Sequence, residues 1–110
     1  MNDIPPVVIS GSGKYVLVAV SKDAVRVELL RGGSAFKMHK DIIASLDSEL
    51  GVGYVITPEG GGVIVFTEGE HPLIAVSGES QKYGPPTSIV TVLSLLTATY
   101  PGHDILSDRS

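Results

Sequence analysis

Three histidines, eight lysines and arginines and no cysteine bound the chemistry open to this 110-residue chain. Without cysteine there are no disulfides, no thiolate metal sites and no cysteine-nucleophile phosphatase mechanism. His39, His71 and His103 stand apart, without the paired spacings of zinc or iron ligation, so neither a metal nor a cofactor is expected. His71, before Pro72 in a turn, and His103, after Gly102, read as surface residues. His39 differs in position, because it falls in the first turn of a predicted helix at the edge of the apolar stripe. Helix N-termini carry free N–H groups and favour an anion, and an imidazole with an ordinary pKa of about 6.5 can serve there as a base near neutral pH. The plainer alternative is a helix-surface histidine.

The cations cluster. Arg31 closes a predicted strand eight residues before His39, just ahead of Gly32-Gly33; its guanidinium suits a carboxylate or phosphate, unless it is simply solvated. Lys14 lies in "GSGKY", a string that fails as a phosphate loop. Val8 stands where a glycine is needed, Tyr15 where Ser or Thr is needed, and the lysine opens a strand rather than a helix. Lys14, Arg31, Lys37, Lys40 and Lys82 nevertheless fall in or beside three segments: a strand start, a helix N-terminus and the loop "SGESQKYGPPTS" (77–88). Brought together, they would give a basic anion pocket to a chain of net charge −4. In that loop Gly84 can take positive φ and Pro85 fixes φ, and its hydroxyls and backbone N–H groups suit an anion-binding nest.

The elements that must position these groups follow from hydrophobic period. "VVIS" is a short strand, and "KYVLVAVS" and "AVRVELLR" are β-branched runs separated by "KD", a hairpin spacing. In "FKMHKDIIASLDSEL" Met38, Ile42, Ile43, Leu46 and Leu50 recur at helical spacing, Asp41 suits the first-turn dipole, and Gly51 and Gly53 end the helix. "GYVITPEGGGVIVFTEGEHPLIAVSG" reads as three strands joined at "PEGGG" and "EGEHP". "SIVTVLSLLTATY", apolar nearly all round, is expected to be a largely buried helix stopped by Pro101-Gly102, and "HDILS" an edge strand. The expectation is α+β: one domain, 1–110, with a single mixed sheet of about six strands and two α-helices on opposite faces or on one.

The acidic balance and the scarcity of aromatic side chains argue against nucleic acid as a partner. The N-terminus lacks a basic-plus-apolar leader and no run reaches membrane-spanning length, so a cytoplasmic protein without membrane partners is expected.

The segments "GKYVLVAV", "LRGGSAFKMHKDI", "GGGVIV", "SQKYGPP" and "TATYPGHDI", in this order, resemble the small protein histidine phosphatases (phosphohistidine phosphatases) and the related Janus proteins from about Gly13 to Ile105. The resemblance implies metal-independent removal of phosphate from histidine in a partner protein, with inorganic phosphate as product. His39 would be the central histidine, acting as general base or as nucleophile. Lys14 and Arg31 would bind phosphate or shape its pocket, and Ser80 with the backbone of Gln81 and Lys82 would cradle its oxygens. Gly60, Gly61, Gly62, Tyr83, Gly84 and Pro85 would shape the surrounding loops. The chain departs from the family at Val63, where an arginine is usual, at the short hairpin around Lys22-Asp23, and at Lys82, where a small residue is common. Val63 keeps open a second expectation, a non-catalytic phosphate- or phosphoprotein-binding module of the same fold.

Overall fold

The computed structural model describes residues 4–109. One six-stranded mixed sheet has the order β1-β3-β2-β4-β5-β6, with β1 Val7–Ile9, β2 Gly13–Lys22, β3 Val25–Gly33, β4 Val55–Thr67, β5 Leu73–Ser77 and β6 Asp104–Ser107. The central pairs are antiparallel, whereas the edge strands β1 and β6 run parallel to their neighbours. Helices α1 (His39–Leu50) and α2 (Ile89–Thr99) cover opposite faces.

This division follows from the two-residue period of β2. Tyr15 and Leu17 face α2, where they meet Leu30, Ile64, Val92 and Leu96; Val16, Val18 and Val20 face α1, where they meet Leu29, Ile42 and Leu46. Because both faces are covered, Tyr15 through Val20 are all buried, the continuous apolar run of a central strand. Ser88 caps α2 by accepting the Thr91 N–H at 3.2 Å. Gly51, at φ 78°, closes α1 with its N–H on the Asp47 carbonyl.

Five local expectations are corrected. "PEGGG" is not a turn: β4 runs unbroken through it, and Pro58 flanks a bulge in which Glu59 and Gly60 oppose the single residue Leu17. The glycines relieve crowding within the sheet rather than reverse the chain. Met38 lies outside the apolar stripe, as the extended residue before α1, and is 52% exposed. The outer side of α2 is open, with Val90 69% exposed, since a single sheet covers only one side of a helix. His103 is half-buried rather than on the surface, edge-on to Tyr100 and near Phe66, with Nε2 3.4 Å from Glu68 Oε1. The β2–β3 turn is made by Asp23 and Ala24, both at positive φ (52° and 67°), one residue beyond the Lys-Asp pair.

Candidate functional site

A cavity of about 490 Å³ opens where the start of β2, the N-terminus of α1 and the loop after β5 converge, lined by Lys14, Met38, His39, Lys40, Glu79, Gln81 and Lys82. The three separated segments thus meet, and three lysines face one carboxylate. Met38 provides no side-chain cap for α1, so the first N–H groups of the helix add to the positive end of its dipole beside the lysines.

His39 is 9% exposed, and its Nε2 lies 3.0 Å from the Gly62 carbonyl oxygen. A carbonyl only accepts, so Nε2 carries the proton and Nδ1 keeps the lone pair of the neutral ring. This contact selects one tautomer and leaves one basic nitrogen.

The triple glycine holds histidine and loop in place. A side chain at Gly60, whose φ is +95°, would run into the Pro85 carbonyl; one at Gly61 would meet the Tyr15 carbonyl, and one at Gly62 the Ser77 carbonyl. Close backbone approach on every side excludes a Cβ at all three positions. Gly61 also ties down the loop: its N–H donates to Gly84 O at 3.0 Å and its carbonyl accepts from Ser80 N at 3.1 Å. Gly84, at φ 76°, donates its own N–H to Ser80 O at 2.8 Å and closes the turn. Tyr83 donates its N–H to Ser80 Oγ at 3.0 Å, and Lys82 Nζ lies 5.7 Å from the Tyr83 ring centroid.

The expected residues therefore separate into groups. Lys14, His39, Gln81 and Lys82 line the cavity. Ser80 does not: it is buried and its hydroxyl accepts from Tyr83, so it shapes the loop alongside Gly84. Arg31 is neither solvated nor at the cavity. Its buried guanidinium donates to Glu49 through Nε (3.3 Å) and Nη2 (3.1 Å), and to Leu30 O through Nη1 (2.9 Å). The reason is geometric, because Arg31 pairs with Val16 and faces α1 near Glu49, ten residues and about 15 Å along the axis from His39. Of the five cations expected to gather in an anion pocket, Lys14, Lys40 and Lys82 line the cavity and Arg31 and Lys37 do not; Glu79 and Met38 carried no sequence signal as cavity residues beyond the proximity of Met38 to His39.

Val63 pairs directly with Lys14 and is 37% exposed, so the usual arginine would stand beside Lys14 on the same face. Beneath the triple glycine, burial pushes the Tyr15 phenol up to about 12 despite the opposing pull of Arg109, which keeps it neutral near pH 7. Among the described residues there is no group of three or more His, Cys, Asp or Glu side chains placed to hold a metal, and no helix is long and apolar enough to cross a membrane.

The sequence profile of the Janus/Ocnus family (Ocnus) matches residues 1–104. No curated protein matches the chain.

Proposed function

We propose, from the premise that this chain belongs to the Janus/Ocnus family, that it is a metal-independent phosphohistidine phosphatase acting at the His39 cavity. The observation that carries the proposal is the Nε2 contact to Gly62 O, which leaves Nδ1 of a cavity-lining histidine as the basic nitrogen among three lysines. A loose phosphoryl-transfer transition state requires in-line positioning and neutralised equatorial oxygens more than covalent assistance. Lys14, Lys82 and the amides of Gln81 and Lys82 would hold those oxygens, with the α1 N-terminus adding its dipole. His39 Nδ1 would take the proton of the attacking water as the P–O bond forms and the P–N bond breaks, the departing imidazole gaining a proton and inorganic phosphate leaving. In the covalent variant the same nitrogen attacks phosphorus as the substrate P–N bond breaks and the substrate imidazole leaves with a proton from solvent, and water then cleaves the new P–N bond to release phosphate from His39. Both variants use the tautomer that Gly62 selects.

The test is phosphate release from a histidine-phosphorylated protein and from phosphoramidate. His39→Ala and His39→Asn should each lower turnover by at least about 10²-fold, the lower range for a lost general base, with affinity for inorganic phosphate retained. Exhaustive chelation should leave the parent's rate unchanged. Full activity in His39→Ala overturns the assignment. Labelled phosphate trapped on the parent favours the covalent variant. Val63 and the sequestered Arg31, which leave the cavity without a guanidinium, favour a second reading: phosphoprotein binding without turnover. A parent that binds phosphate through Lys14 yet hydrolyses neither substrate would establish it.

A further inference from the structure

Helix α1 covers β3, β2 and the first half of β4, but the same side of the sheet beyond the bulge is uncovered. Three ladder rows run across it: Lys14–Val63–Ser77, then Val65–Ala75–Leu106, then Thr67–Leu73–Asp104. Ile64, Ile74 and Ile105, which alternate with these residues, point into the α2 core, so the outer set faces solvent. Val65 is 44% and Leu106 56% exposed, and Val63 joins them to Lys14 and hence to the His39 cavity. Met38, exposed on the helix side, gives the cavity an apolar rim as well.

The charge around this strip is polarised. Lysines 14, 40 and 82 lie at the cavity end and outnumber its one carboxylate, Glu79, while Asp108 and Arg109, both bonded to Gly78 beside them, offset each other. At the opposite end Asp104 is exposed on the third row, and Glu68 and Glu70 lie exposed in the turn that joins β4 to β5. The Lys14 row and the Asp104 row lie four residue steps apart, from Val63 to Thr67 along β4, about 14 Å at strand spacing.

We propose that the outer face of β4, β5 and β6 is the docking surface for the phosphohistidine-bearing protein. That partner presents its phosphorylated imidazole to the cavity, apolar side chains to Val63, Val65 and Leu106, and a basic group to Asp104 and the acidic turn. The inference rests on the reading of the cavity as a phosphohistidine site and adds the partner's chemistry and orientation. Continuity of the strip with the cavity and opposite charge at its two ends commit it to this occupant, since a flat apolar strip with a cationic and an anionic end matches an anion-to-cation surface laid in one direction only.

The probes are inorganic phosphate and a peptide of about ten residues with a stable phosphohistidine analogue at one end, valines at alternate positions and two lysines at the other end. Each is titrated calorimetrically against the full chain and against Val65→Glu and Asp104→Lys. The parent should bind the peptide at least about 10-fold more tightly than phosphate, and each variant should lose most of that gain while phosphate binding stays within about twofold. Replacing the peptide's lysines by glutamates should abolish the gain in the parent. Val65→Thr, which keeps a β-branched side chain on the strand, replaces Val65→Glu if the latter does not fold. Equal peptide affinity in parent and variants overturns the proposal, as does a loss that phosphate shares. Patch-dependent peptide binding by a parent that never releases phosphate keeps the docking surface and removes the phosphatase assignment. Turnover of phosphoramidate without patch-dependent peptide binding does the reverse.

Discussion

Removing Glu49 should destabilise the chain more than removing Arg31, and neither change should alter phosphate affinity. The Arg31 side chain is 5% exposed and that of Glu49 is 38% exposed, so the two partners of one ion pair face water very unequally. Glu49→Ala strands a buried guanidinium whose remaining partner is Leu30 O. Breaking a buried pair in this way costs about 3–5 kcal/mol. The adjoining cavity of about 220 Å³, lined in part by Arg31 and Glu49, admits water to the stranded charge. That brings the expected loss to about 2–4 kcal/mol. Arg31→Met keeps most of the aliphatic volume and lets the carboxylate return to solvent, so it should cost only about 1–2 kcal/mol. Urea unfolding at constant m value measures both losses, and calorimetric titration with inorganic phosphate supplies the functional readout. If Arg31→Met left stability intact and weakened phosphate binding about 10-fold or more, the guanidinium would belong to the anion site and the geometric argument would fail.

On the proposed phosphate site, Lys14→Ala would remove a charge-assisted contact of roughly 1.5–3 kcal/mol and should weaken inorganic phosphate binding by at least about 10-fold, read by the same titration with folding checked by circular dichroism. Ala24 holds φ 67° without a glycine's freedom, so Ala24→Gly should stabilise the hairpin and raise the stability by about 0.5–1 kcal/mol; a loss of stability would refute the strain assigned to that turn. The Tyr15 phenol is raised from 10.0 to about 12 by burial, so between those pH values the unfolded chain ionises while the folded chain holds its proton. Stability is therefore fully present below pH 10 and falls as pH rises through that window, by about 1.4 kcal/mol per pH unit for this one group. Tyr15→Phe should make that fall shallower in denaturation curves taken across the window, leaving the smaller part due to Tyr100, whose pKa burial also raises.

Periodicity made the two-helix, single-sheet plan legible, and the helical stripe placed His39 at a helix start because Ile42 and Leu46 must both reach the sheet. The same signals misled where one residue type serves two physical ends. Consecutive glycines commonly mark a turn, yet here they let the Pro85, Tyr15 and Ser77 backbones approach a continuous strand. An all-apolar helix implies burial on every side, but α2 has a sheet on one side only. Arg31 and Lys14 are both cations on β-strands facing α1, and only the position of Glu49 along that helix separates an ion pair from an anion ligand. Ser80 illustrates the remaining gap: a loop hydroxyl reads as a ligand donor until its burial behind the cavity lining is seen.

The tie between His39 and Gly62 spans 23 residues of chain, and the ties from Gly61 to Ser80 and Gly84 are likewise between distant segments. None of them can form within a local fragment. The first needs β4 in place beside helix α1 and the others need the 80–84 loop seated on β4, both of which require long loop closures. The basic nitrogen of His39 is thus set by a contact that neither helix α1 nor the β2–β3 hairpin contains on its own. A fragment ending before residue 62 would hold the histidine without its tautomeric selection, so the basic nitrogen depends on strand β4 as much as on the helix that carries the ring.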